Sequence, residues 1–103
     1  MMREDRFISQ KLLSEGISLV SIGINEIAWT AENIYIVLDE IKQCNATILG
    51  GDVYKIENDK IHPTVDSWFF SDEDIESRVD LTKKYIEKYE NNTGTYIYSI
   101  VLQ

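Results

Sequence analysis

Asp52 and Asp66 are the side chains best placed to do chemistry, because paired carboxylates serve general acid–base catalysis or hold a magnesium ion. Each lies in an apolar, β-type run, Ile48-Leu49-Gly50-Gly51-Asp52-Val53-Tyr54 for the first and Asp66-Ser67-Trp68 for the second. Shared work would require both acids on one face of a sheet. A tight turn at Asn58-Asp59, residues that tolerate the left-handed conformation, would place Leu49 opposite Trp68, Gly51 opposite Asp66 and Asp52 opposite Val65. In that register the two acids point to opposite faces, which argues against a catalytic or metal-binding pair. A bulge at the glycines would shift the register by one and bring them together. Two other roles are open to these acids: accepting backbone N–H groups freed at a bulge, or facing a partner.

The remaining reactive residues are sparse. His62 is the only histidine and stands beside Pro63 near the hairpin turn, where it reads as a surface strand residue. Cys44 is the only cysteine, so there is no internal disulfide, and zinc sites built from thiolates and imidazoles are excluded. G-x-S-x-G, phosphate-loop and G-x-G-x-x-G patterns are all absent. The expectation is a binding protein, not an enzyme, with no cofactor and no metal. The glycine pair sharpens it. Glycine weakens a strand interior and usually marks a bulge or a close approach to the backbone, and Trp68 would lie beside the space that Gly51 leaves. The alternative is a small ligand-binding or enzymatic domain using the Gly50-Gly51-Asp52 strand with Trp29 and Trp68 as a pocket.

Eighteen acids against ten bases give a net charge of −8 over 103 residues. Phosphate backbones and anionic lipid would repel such a chain, so direct nucleic-acid or membrane binding is not expected; solubility or a basic partner accounts for the charge. The densest bases, Lys83, Lys84 and Lys88, fall in the last turns of a helix, where cations complement the macrodipole. The strongest acidic run, Asp72-Glu73-Asp74-Ile75-Glu76, suits a helix start and can also present a contact patch. Candidate partner-binding residues are therefore Asp52, Asp66, Trp68, Asp72, Glu73 and Glu76. Residues 1–6 lead into an amphipathic stretch without a signal-peptide core, and nothing approaches a membrane span. With a lone cysteine, this leads to the expectation of a reduced cytoplasmic location, where the sequons at Asn45 and Asn91 have no glycosylation meaning.

The elements that must position these residues fit a single domain, residues 1–103, with an apolar fraction of 44%. A first helix is expected near residues 4 to 15, ended by Gly16 as a C′ residue. Residues 17 to 22 read as either a strand or an extended connection. A second helix starts with Thr30 as N-cap and carries Ile34, Val37, Leu38 and Ile41 at helical spacing to Asn45, with Trp29 at N′ stapled to Ile34. That staple gives Trp29 a structural role; a partner-facing aromatic is the other reading. Residues 46 to 56 and 61 to 70 form the hairpin. Ser71 caps a third helix with Asp74 at N3, a core face of Ile75, Val79, Thr82, Ile86 and Tyr89, and i,i+4 pairs Asp74–Arg78 and Asp80–Lys84. A turn at Asn92-Thr93-Gly94 leads to a last strand from Thr95 to Leu102. The fold class is α+β: a small, mostly antiparallel sheet of three or four strands against two or three helices, order α(β)αββαβ. If residues 17 to 22 pair, a split βαβ topology is in play.

Three of these segments, Gly23-Ile24-Asn25-Glu26-Ile27-Ala28-Trp29, Ile48 to Tyr54 and Asp66-Ser67-Trp68, give the chain more than a generic character. In them it resembles the Immunity protein 40 family of bacterial polymorphic-toxin systems, over roughly residues 10 to 102. The resemblance implies a cytoplasmic protein made beside a toxin, which binds that toxin and protects the producing cell and its kin. It implies neither a toxin activity nor mapped contact residues. The acidic balance fits a basic toxin such as a nuclease without demanding one. Gly50-Gly51-Asp52 is also similar to the signature of cyclic-dinucleotide synthases, but the chain is too short for that domain and Val53 stands where a second acid should follow.

Overall fold

The computed structural model describes residues 8–71 and 75–103, apart from the side chains of residues 75 and 76. In chain order the elements are α1 (Gln10–Glu15), β1 (Ile17–Ser18), a 3-10 turn at Val20–Ile22, β2 (Ile27–Thr30), α2 (Ala31–Cys44), β3 (Ile48–Glu57), β4 (Lys60–Phe69), α3 (Ile75–Glu90) and β5 (Thr95–Leu102). The strands form one five-stranded sheet in the order β1-β2-β5-β3-β4, antiparallel at every pairing. β2 and β3 both run antiparallel to β5 and hence parallel to each other. With α2 as the crossover and β5 filling the gap, this is a split βαβ unit.

Five expectations change. α1 is six residues, Gln10–Glu15, starting at the N-cap Ser9 and not near residue 4, and residues 1–7 lie outside the described chain. Only Ile17–Ser18 of residues 17 to 22 is strand, because the chain then tightens into the 3-10 turn. The sheet has five strands, not three or four, since Ile27–Thr30 is itself a strand paired to β1 and β5. Thr30 does occupy the N-cap of α2, but its side chain makes no capping bond. Gly16 ends α1 with extended backbone, so its C′ role is not left-handed. Its purpose is clearance, as a Cβ there would collide with Ile27 and lie 3.1 Å from the Trp29 indole nitrogen.

The rest follows the pattern. Asn45 closes α2 in the left-handed conformation (φ 57°), and Asn58 and Asp59 both adopt it at the hairpin turn (φ 53° and 61°). α2 buries Ile34, Val37, Leu38 and Ile41. With Val79 and Ile86 of α3, these pack on Ile48, Val53, Tyr98, Ile100 and Leu102 on one sheet face. Trp29 is 0% exposed, and its indole N–H donates to the Leu12 carbonyl at 2.8 Å, tying α1 to β2. Among the described residues, the opposite sheet face is only partly covered. Leu19, Ile22 and Ile24, from the segment joining β1 to β2, pack over Ala28, Tyr54 and Ile97.

Candidate functional site

Two irregularities in the β3–β4 hairpin set the surface around Asp52. Between β3 and β5 the register shifts from Ile48 to Gly50, leaving Leu49 as an extra residue. The buried Arg78 of α3 caps this bulge, donating to the Ile48 carbonyl at 3.0 Å while its guanidinium lies 5.6 Å from the Phe70 ring centroid. The pairing expected from sequence, Asp74 with Arg78, falls partly outside the described residues.

The second irregularity lies in β4. From the turn to Tyr54↔Pro63 the register is the expected one, and beyond it Asp52 pairs with Ser67 and Gly51 with Trp68. Two extra residues therefore bulge from the Thr64–Asp66 segment opposite Val53. Thr64 fastens the bulge, its hydroxyl donating to the Val53 carbonyl at 2.8 Å and accepting the Asp66 N–H at 3.1 Å. This corrects the expected pairings Leu49–Trp68, Gly51–Asp66 and Asp52–Val65. An insertion of two preserves the alternation of faces, so the bulge does not bring the two acids together.

Their surroundings agree. Asp52 acts on Tyr54, whose phenol is pushed up by burial first and then by Asp52 and Glu26. Asp66 acts on Tyr85, on the helix side, whose phenol is raised by burial and then by Asp66. A carboxylate pair sharing one proton or one cation is not formed. Among the described residues no group of three or more His, Cys, Asp and Glu gathers to hold a metal, and no helix is long and apolar enough to cross a membrane. Ser99, paired in register with Asp52, is enclosed without a well-formed hydrogen bond, although its hydroxyl lies close enough to the Tyr54 phenol to act on it.

The tryptophans do not build a pocket with Asp52 either. Trp68 is 9% exposed, its ring lies over Gly51 on the helix side, and its indole N–H donates to Thr82 Oγ1 at 3.3 Å. It also meets Tyr85 with ring centroids 4.9 Å apart, the first contact of an aromatic row continuing through Tyr89 to Tyr96 and Tyr98. Trp29 is on β2, two strands away from β3 across β5. Asp72 and Glu73 lie outside the described residues, as do Asp74 and the side chain of Glu76. His62 is an exposed strand residue paired with Lys55.

What the chain does present is an edge. Among the described residues β4 pairs with β3 alone, and along its ten residues only Trp68 is buried. Val65 is 100% exposed and Phe69 81%. Sequence reasoning missed both, since each reads as one more apolar strand residue; the signal was the crowding of polar and bulge-forming residues around them. On the uncovered part of the sheet face, Gly50, Asp52, Ser67, Phe69 and Val101 line a shallow hollow of about 280 Å³. A larger hollow of about 790 Å³, between the end of α2 and α3, is lined by Lys42, Asn45, Thr47, Ser77 and Asp80. An open edge with an apolar and acidic border can hold an extended segment of another protein.

Compared with known proteins, the chain is matched by the family model for Immunity protein 40 over residues 18–102. No curated protein and no solved structure matches.

Proposed function

Because the chain belongs to the Immunity protein 40 family, we propose that it binds a cognate bacterial toxin and neutralises it as a stoichiometric protein inhibitor. The observation that carries this reading is the family match over residues 18–102. The geometry supports it: the chemistry-bearing side chains are dispersed, while an exposed edge and an acidic surface are available for a protein. The toxin belongs to a polymorphic-toxin system, and a net charge of −8 suits a basic one such as a nuclease. The chain acts without catalysis or a cofactor, does not bind nucleic acid or membrane directly, and works in the cytoplasm of the bacterium that makes the toxin. Asp52, Asp66, Asp72, Glu73 and Glu76 contribute charge to recognition. Trp68, nine-tenths buried, contributes through the strand it anchors.

Co-expression tests the reading. The toxin encoded beside this chain should arrest growth alone, growth should return when the chain is produced with it, and the two should co-purify in equimolar amount. Failure of both rescue and co-purification would remove the proposal.

A further inference from the structure

We infer that the toxin is captured by strand addition, an extended basic and apolar segment of it pairing with residues 66–69 of β4. This rests on the immunity reading and names the surface that serves it. Natural sheet edges are guarded by lysine, proline and bulges, and β4 carries all three, at Lys60, Pro63 and the Thr64–Asp66 bulge. All three stand in the half nearer the hairpin turn or at its limit. Among the described residues, the half beyond them has no such guard. There Phe70 N–H donates inward to the Leu49 carbonyl at 2.9 Å, so the alternation of an antiparallel ladder turns the Phe69 and Ser67 N–H groups outward. The outward carbonyl of Ser67 accepts from the Tyr85 hydroxyl at 3.5 Å.

Side-chain chemistry defines the guest. An added strand alternates faces. Its residues on the open face meet Phe69 and Val101 around the shallow hollow, with Asp52 reachable across the small Ser67 by a long basic side chain. Those on the helix face meet Asp66 beside Tyr85. Apolar residues interspersed with Lys or Arg match both sides. A second copy of this chain matches neither, because two chains of net charge −8 would bring Asp66 and Asp52 against like charge.

The experiment measures affinity for the toxin encoded beside the gene, using wild type, Phe69→Lys, Ser67→Pro and, as a control on α2, Ile36→Lys at another exposed apolar position. Ser67→Pro removes an outward N–H and no ladder bond, which edge strands tolerate. Phe69→Lys and Ser67→Pro should each weaken binding about tenfold or more with the fold intact, and Ile36→Lys should bind as wild type. Should Ser67→Pro not fold, hydrogen exchange on the wild-type complex decides, since the Ser67 and Phe69 amides should exchange about tenfold more slowly with toxin bound. Unchanged affinity for Phe69→Lys, or unprotected amides, overturns strand addition while leaving the immunity reading in place. No binding by wild type removes the immunity reading itself. Concentration-dependent dimers of wild type that Phe69→Lys disrupts would assign the edge to a second copy and overturn the inference.

Discussion

A Cβ on Gly51 has nowhere to go, because the Ser99 carbonyl and the Trp68 ring already occupy the space on the helix side. Gly51→Val should therefore overpack the site and destabilise the fold by about 1 to 3 kcal/mol, measured by urea unfolding. Trp68→Ala removes the ring that fills this space and should cost about 3 to 5 kcal/mol in the same measurement. A near-wild-type transition for Trp68→Ala would contradict its place in the core. The proximity of Trp68 to Gly51 was legible in sequence, because a glycine in an apolar strand beside a large aromatic implies close approach. Their direct pairing was not, because the bulge that sets it depends on Thr64, whose hydroxyl reaches across to Val53. Arg78 was missed as a core residue for a similar reason: its partner is a main-chain carbonyl freed by a bulge, which no residue type announces. Tyr98 supplies a pH dependence. Its phenol is buried and donates to Glu90 Oε2 at 2.6 Å, and its pKa is pushed well above the ordinary tyrosine value, by burial first and then by the Glu90 hydrogen bond and charge. A group whose folded pKa exceeds its unfolded one adds stability that is intact below the unfolded value and lost as pH rises towards the folded one. Unfolding free energy should fall above about pH 10, the ordinary tyrosine value, and Tyr98→Phe should reduce that slope at a cost of about 1 kcal/mol near neutrality.

At the scale of elements, the long periodic segments were readable and the short ones were not. α2 and α3 carry buried residues at helical spacing, and β5 alternates as expected, so sequence placed all three, with the start expected for α3 over residues 71–75 falling partly outside the described residues. β2 was hidden because its four residues end in the N-cap of α2, and Trp29 accounted for itself as a staple without any strand. β1 is two residues long and owes its existence to pairing with β2. Thr64→Val keeps the shape of the side chain but removes a donor to Val53 and an acceptor from Asp66. It should cost about 1 kcal/mol and quicken exchange of the Asp66 amide while leaving the ladder between Tyr54 and Lys60 protected. If the bulge were held by side-chain packing alone, exchange at Asp66 would not change.

The whole molecule carries eight net negative charges on 103 residues, enough for its field to act on a basic toxin before contact. Two sets of acids contribute differently. Asp52 and Asp66 flank the open edge, whereas Asp72, Glu73 and Glu76 follow β4 in sequence and are assigned to recognition by charge alone. Steering acts on the approach, falls off beyond a Debye length of about 8 Å at physiological salt, and raises association above the neutral range of about 10⁵ to 10⁶ M⁻¹s⁻¹. Contact acts on departure. Neutralising Asp72, Glu73 and Glu76 to amides should slow association and flatten its salt dependence while dissociation stays as in wild type. Neutralising Asp52 and Asp66 should both slow association and quicken dissociation, because acids that bear on the bound segment are lost. Stopped-flow association at several salt concentrations, with dissociation followed separately, distinguishes the two. An unchanged rate and salt slope for the Asp72, Glu73 and Glu76 variant would confine those acids to the fold, and unchanged dissociation for the Asp52 and Asp66 variant would move the contact away from β4.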